Sequence, residues 1–211
     1  MKKIVILGTA HLRSTPGKRS IDGRLKEYAY SREIVTMVEA ELKARGFEVY
    51  VDYRPTDANV QMLSSNWMTE QKRELAYRVG VVNQLCQRYG ASNCVYVSIH
   101  VNAAGGDGKW HDARGFSVFV SKNASNNSKR LARMFCEEAC KNPDIKGNRW
   151  IPTDRYWVKG LYVLTYTKCP AVLTENLFQD NLADVDYLLS DEGRQAIVDL
   201  HVKCISEYAN N

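Results

Sequence analysis

The sequence lacks the features that mark several broad classes of protein. None of its 211 residues belongs to a stretch approaching the roughly 20 apolar residues of a membrane-spanning helix, so we expect no membrane insertion. Its net charge of +5 comes without a Lys/Arg run or a nucleic-acid-binding motif, so we expect no nucleic-acid partner. No Pro/Gly/Ser-rich linker and no repeat at solenoid spacing divide the chain, which predicts one domain over residues 1–211.

Cysteine pairs of the C-x-x-C type are also absent. Several of the six cysteines lie within apolar stretches, as is typical of reduced thiols in a protein core. The six are Cys86, Cys94, Cys136, Cys140, Cys169 and Cys204. This pattern favours folding in a reducing compartment, although an even number leaves disulfide bonds open.

The N-terminus shows no secretory signal. After Met1-Lys2-Lys3 the apolar run covers only Ile4 to Leu7, and no small-residue cleavage site follows it. With 45% hydrophobic and 25% charged residues, the composition is that of a soluble globular protein. We therefore expect a monomer that is synthesised in the cytoplasm.

Segments with strand and helix patterns alternate along the chain. Strands are predicted at residues 3–8, 47–52, 94–100, 115–121, 161–165 and 171–175. Helices are predicted at residues 26–45, 70–88, 128–141 and 191–208. The alternation predicts an α/β fold with a twisted, mostly parallel sheet of about six strands and helices on both faces.

Three predicted strand ends carry side chains capable of metal or acid–base chemistry. His11 follows the first strand, His100 ends the strand at residues 94–100, and Glu175 ends the strand at residues 171–175. Ligands of such sheets bind outside the carboxyl ends of the strands, where these residues would meet. A single histidine beside a strand is more often bonded locally, so the prediction depends on the three together.

Glu27 adds a second carboxylate to this set. It precedes Ile34 by seven residues and Val38 by eleven, so it shares the helix stripe that faces the sheet. A carboxylate directed at a core needs a partner or a metal. The alternative interpretation of Glu27 is that its charge is favourable at the helix N-terminus and binds no metal. Two imidazoles and one carboxylate form a His₂Glu set that leaves a fourth zinc position open to water, as in catalytic zinc sites.

Two later segments closely resemble motifs of a known family, the zinc-dependent N-acetylmuramoyl-L-alanine amidases of the peptidoglycan amidase type 3 class. Val97 to Ala104 (VSIHVNAA) resembles the family's SIHxNA segment, whose His binds zinc. Pro170 to Phe178 (PAVLTENLF) resembles PAVLVExGF, whose Glu is catalytic. Glu27 stands where the EKDxNLxIA helix supplies a zinc-binding Glu, and the likeness extends from Lys3 to Tyr208.

The resemblance implies one zinc ion bound by His11, Glu27 and His100, with Glu175 as general base and acid. The implied reaction is hydrolysis of the bond between N-acetylmuramic acid and L-alanine in peptidoglycan. Because the chain shows no export signal, an endolysin-like enzyme that reaches the cell wall by release or by another route is expected.

Some positions depart from the family pattern. His11 lies in GTAHLR where the family has DPGHGG, which predicts a differently shaped loop without the acidic neighbour that often orients a ligand imidazole. Leu177 stands where the family has Gly in its xGF segment. Arg78 and Asn83 match a paired Arg and Asn on the following helix of the family.

At several further residues an ordinary structural role competes with a functional one. His111 in a Gly-rich loop is predicted to be solvated, with contact to substrate as the alternative, and His201 in the last helix is predicted to be structural. Arg155 and Lys159 are candidates for docking a muropeptide carboxylate, with surface charge as the alternative. The long connection at residues 56–69 is either a lid or groove wall, or a packed loop.

Two other functions remain open at this level. One is a related zinc peptidase or amidohydrolase that acts on a different amide, with the same site chemistry. The other is an inactive module that binds the cell wall, although an inactive site would be expected to have lost at least one of the four residues.

Overall fold

A computed structural model describes residues 3–54 and 64–210 of the chain. Within these ranges a six-stranded sheet has the order β2-β1-β3-β6-β4-β5. The strands are β1 (Ile4–Gly8), β2 (Val49–Val51), β3 (Cys94–Asn102), β4 (Ser117–Val120), β5 (Trp157–Val158) and β6 (Ala171–Phe178). Neighbouring strands are parallel except for β4 and β6, which are antiparallel. The predicted α/β fold with a mostly parallel sheet is confirmed.

Helices cover both faces of the sheet, as predicted. In the described ranges they are α1 (Glu27–Ala44), α2 (Trp67–Tyr89), α3 (Asn126–Ala139), α4 (Pro143–Lys146), α5 (Tyr162–Thr165), α6 (Leu182–Leu189) and α7 (Asp191–Asn210). Because successive strand residues point to opposite faces, β1 contributes to two cores. Val5 and Leu7 pack with residues of α1, α3 and α7, whereas Ile6 packs with residues of α2 and α5.

The helix that carries Glu27 is determined by its apolar stripe and its C-terminal glycine. Tyr30, Ile34, Val38 and Leu42 recur every four residues and are buried against the sheet. Gly46 has φ 76°, which only glycine adopts readily. Gly46 N donates to the Lys43 carbonyl and the following amide donates to the Leu42 carbonyl, a Schellman termination that fixes the turn into β2.

The strand predicted at residues 161–165 is wrong. Tyr162–Thr165 forms the short helix α5, and the edge strand is Trp157–Val158 instead. Val163 and Leu164 are buried while Tyr162 and Tyr166 contact each other on the exposed side, with ring centroids 4.5 Å apart. A run of five mostly apolar residues is compatible with either a strand or a helical turn, so its pattern could not separate the two.

The connection at residues 56–69 lies partly outside the described residues. The helix that follows it begins at Trp67, three residues earlier than predicted, because the Asn66 side chain accepts a hydrogen bond from Met68 N. Trp67 and Met68 therefore belong to the first turn of α2, where both are about half exposed.

Two further expectations concern the cysteines and the membrane. All six cysteines lie in the described residues and are free thiols there. Among the described residues, no helix combines the length and the apolar character needed to cross a membrane.

His201 is a core residue, as predicted. It is fully buried in α7, its Nδ1 donates to the Ile197 carbonyl at 2.7 Å, and its Nε2 accepts from the Thr174 hydroxyl at 2.9 Å. Its ring lies 5.2 Å from that of Phe135. Both ring nitrogens of the neutral imidazole are thus satisfied, and burial lowers its pKa to about 4.

We expect this histidine to make the fold sensitive to mild acid. Its pKa is lower when folded than the usual 6.5, so the unfolded chain binds more protons and stability falls as pH drops from 6.5 towards 4. The full loss is about 3 kcal/mol. Denaturant unfolding across this range should show a weaker pH dependence for His201→Gln than for wild type. His111→Gln, in an exposed loop, is the control; equal slopes in all three proteins would contradict the prediction.

Candidate metal centre

The carboxyl ends of β1, β3 and β6 bring the predicted site residues to one rim of the sheet. His100 and Glu175 are register partners in the β3–β6 ladder. His11 lies three residues beyond the end of β1, and Glu27 is the first residue of α1. A cavity of about 220 Å³ opens here, and His11, His100 and Glu175 are among its lining residues.

Three side chains converge on one point. Glu27 Oε1 lies 3.0 Å from His100 Nδ1, and Glu27 Oε2 lies 3.4 Å from His11 Nε2. One ligand atom from each of the three residues lies within 4.8 Å of the other two. The two imidazoles stand perpendicular, with ring centroids 5.1 Å apart. This arrangement has the size and the donor types of a metal site.

The Glu27 carboxylate is the electrostatic centre of the cluster. It is 1% exposed, and its Oε2 has no hydrogen-bond partner among the described residues. Burial opposes its ionisation, but the two imidazoles hold its pKa well below the usual value. Burial also lowers the pKa of His100. An ionised carboxylate beside a neutral imidazole is the protonation state that a metal requires.

Glu175 differs from Glu27 although the two share the rim. Burial, reinforced by the charge of Glu27, raises the pKa of Glu175 to about 8. Its Oε2 is buried and has no hydrogen-bond partner among the described residues. Two carboxyl groups with pKa values moved in opposite directions are typical of a site in which one binds charge and the other exchanges a proton.

The turn that carries His11 is held by side chains from distant parts of the chain. His11 has φ 45°, a conformation that costs a non-glycine residue about 1–2 kcal/mol. Thr9 N donates to Asp52 Oδ1 at 3.0 Å and Ala10 N donates to Ser31 Oγ at 2.8 Å. The His11 carbonyl accepts from Arg32 Nη2 at 2.8 Å. These contacts to the backbone fix the turn although no acidic residue is adjacent to His11 in the sequence.

A buried ion pair contacts the start of this turn at Thr9. Arg78 is 2% exposed, and its Nη1 lies 2.7 Å from Asp52 Oδ1 and 2.7 Å from the Thr9 hydroxyl. Its Nε lies 2.8 Å from Glu74 Oε1. The role of Asp52 was not predicted, and the available signal was one acidic residue at the end of a strand and one arginine on a buried helix face.

A second unusual backbone conformation follows Glu175. Leu177 has φ 65°, the left-handed region, at the position where the resembling motif has glycine. The side chain is fully buried in the larger core, so its packing offsets the conformational cost. The predicted departure from the motif therefore changes the residue while retaining a glycine-like backbone.

The remaining predicted residues fall into two groups. Lys159 lines the cavity with Glu175, whereas Arg155 is exposed and is not among the lining residues. His111 lies in an exposed loop, where its Nε2 is 2.9 Å from Asp107 Oδ1. Asn83 Nδ2 donates to the Tyr166 carbonyl at 2.9 Å and so holds the connection between α5 and β6.

Comparisons with known proteins agree with this geometry. A profile of the family described as N-acetylmuramoyl-L-alanine amidase matches residues 5–207. Among curated protein sequences, none matches the chain significantly.

Several solved structures share the fold. The CwlD amidase from Clostridioides difficile, in complex with the GerS lipoprotein, is 21% identical with a TM-score of 0.74, covering 99% of this chain and 98% of that one. The amidase Ami1 from Mycobacterium smegmatis is 20% identical with a TM-score of 0.74, covering 99% and 97%. The catalytic domain of the CD27L endolysin, which targets Clostridia difficile, is 20% identical with a TM-score of 0.66, covering 97% of each chain.

Proposed function

The chain belongs to the N-acetylmuramoyl-L-alanine amidase family, and on that premise we propose that it hydrolyses the amide bond between N-acetylmuramic acid and L-alanine in bacterial peptidoglycan. The observation that carries the proposal is the cluster of His11, Glu27 and His100, with Glu175 opposite His100 on the adjacent strand.

The proposed metal is one zinc ion, held by His11, Glu27 and His100. The fit is supported by the close approach of the three donors and by the buried Glu27 oxygen that has no hydrogen-bond partner among the described residues. Two nitrogen donors and one carboxylate with an open fourth position favour zinc among the common divalent ions. When bound, zinc polarises the scissile carbonyl and lowers the pKa of a water molecule to near 7.

Glu175 is the proposed proton carrier. It faces the cavity from β6, next to His100 but outside the three-residue cluster. In its ionised form it accepts a proton from the attacking water, and in its protonated form it donates that proton to the nitrogen of L-alanine as the C–N bond breaks. A carboxyl group whose pKa is raised towards neutrality can serve in both forms.

Digestion of purified peptidoglycan tests the proposal. The purified protein is incubated with sacculi alone, with a chelator, and with a chelator followed by zinc, and newly exposed L-alanine amines are quantified by mass spectrometry. We expect release that the chelator abolishes and zinc restores, and none from Glu175→Gln. Zinc binding without release would indicate another amide substrate, and failure to bind zinc would favour an inactive wall-binding module.

A further inference from the structure

Basic side chains surround the buried carboxyl group of Glu175. Lys18 and Lys159 line the same cavity as Glu175, and Arg149 is a third cation whose charge acts on this carboxyl group. Lys18 lies 3.7 Å from Glu27 Oε2 and thus belongs to the metal-ligand side of the cavity. Arg149 is not a lining residue of this cavity; it lies on the β4 side of Glu175, where it contacts Ser117.

The position of Arg149 follows from the register of the sheet. Ser117 on β4 is the register partner of Glu175, which is itself the partner of His100. Directly opposed residues on neighbouring strands point to the same face of a sheet, and the strands are about 4.8 Å apart. Since Arg149 Nε donates to Ser117 Oγ at 3.0 Å, Arg149 continues the row that begins at His100.

The Arg149 guanidinium is held in a defined orientation. Its Cζ lies 5.3 Å from the ring centroid of Trp157 and 5.3 Å from that of Phe178. Two aromatic contacts and one hydrogen bond restrict the guanidinium plane, which lowers the entropic cost of binding a ligand there.

The outer nitrogens of Arg149 remain available. Within residues 3–54 and 64–210, Arg149 has no carboxylate within ion-pair distance, whereas Arg78 contacts two and Arg114 one at 2.7–2.8 Å. Among the described residues its Nη atoms have no hydrogen-bond partner, yet they are not among the buried atoms in that state, so water reaches them. Burial lowers the pKa of Arg149, and Glu175 is the charge that opposes this effect. A partly desolvated guanidinium with two free nitrogen donors has the geometry to bind a carboxylate through two parallel hydrogen bonds.

The row also defines which part of a substrate would reach Arg149. From Glu175 to Ser117 the row spans one strand spacing, about 4.8 Å, and Arg149 Nε lies 3.0 Å from Ser117 Oγ. An amide bound beside the metal ligands, with its nitrogen towards Glu175, directs the peptide side towards β4. Two extended residues cover about 7 Å, which brings the second residue of the stem peptide to the guanidinium.

We propose that Arg149 forms a carboxylate-binding subsite that selects stem peptides whose second residue, a γ-linked glutamate, keeps its free α-carboxylate rather than an amide. This subsite rests on the proposed amidase function. Lys159, which lines the cavity, adds positive charge near Glu175, and Arg149, adjacent to the cavity on the β4 side, supplies the directed contact.

Matched soluble muropeptides with glutamate or isoglutamine at the second position test the subsite. Wild type should prefer the acidic substrate by about 10- to 100-fold in kcat/KM, mainly through KM. Arg149→Gln should raise KM for the acidic substrate towards that of the amidated one, and Arg149→Lys should retain part of the preference because the charge remains. Arg133→Gln is the control, since Arg133 also lies over an aromatic ring, that of Tyr156 at 5.5 Å.

The outcomes separate the subsite from the amidase function. Equal wild-type rates on both substrates, or an equal loss on both in Arg149→Gln, would overturn the subsite while leaving the amidase function intact. If neither substrate is cleaved, the amidase function fails, and calorimetry with the peptide L-alanyl-γ-D-glutamate then decides the subsite without turnover. Binding that Arg149→Gln weakens at least tenfold would support it, and equal binding by both proteins would overturn it.

Discussion

Glu175→Gln is expected to lower kcat by about 10²–10⁴-fold while leaving zinc content unchanged. Glutamine preserves the shape of the side chain but cannot carry the proton from water to the leaving nitrogen. The metal cluster should persist because Glu175 is not one of the three converging residues. Turnover measured on a muropeptide, together with metal analysis of the same preparation, provides both readouts.

The control for this variant is Glu138→Gln. Glu138 lies on α3, where it pairs with Lys141 and Lys203 away from the cavity. It should therefore retain wild-type turnover. A Glu175→Gln enzyme with an unaltered rate would remove Glu175 from the mechanism, and one that had lost its metal would assign it a ligand role instead.

His100→Ala is expected to abolish both metal binding and activity. The substitution removes one of three ligand atoms and leaves the buried Glu27 carboxylate without its partner at 3.0 Å. Because even residues that only orient ligands change metal affinity by about 10–100-fold, loss of a ligand should weaken zinc binding by at least 100-fold. Competition with a fluorescent chelator measures the affinity directly.

His111→Ala is the matched control for this experiment. His111 contacts Asp107 in an exposed loop and is not one of the three converging residues. Circular dichroism of both variants distinguishes loss of the metal from loss of the fold. Wild-type zinc affinity in a folded His100→Ala protein would exclude His100 from the metal site.

The sequence sufficed for the parts of the molecule that depend on local patterns. The apolar stripe of α1 and the hydrophobic strands β1 and β3 are recognisable in the sequence, and the strand-end rule predicts that His11, His100 and Glu175 share one rim. Local pattern failed where segments were short. The α5 turn was predicted as a strand, and the short helices α4 and α6 were not predicted.

Contacts between distant residues could not be predicted in this way. Arg78 meets Asp52 across 26 residues and the Thr9 hydroxyl across 69, and neither spacing leaves a periodic signal. Arg149 depends on Ser117, 32 residues earlier, and on two aromatic rings from other strands. Such groups have to be located in three dimensions before their chemistry can be inferred.

The buried pair formed by Arg78 and Asp52 also has a consequence for how the sequence can diverge. Arg78 also contacts the buried Glu74 at 2.8 Å, so loss of the arginine leaves two buried carboxylates without their cation, a loss that typically costs at least about 3–5 kcal/mol. Divergence at position 78 is therefore tied to changes at both position 52 and position 74. Chimaeras that join this α2 to a β2 without an acidic residue at position 52 should fold poorly.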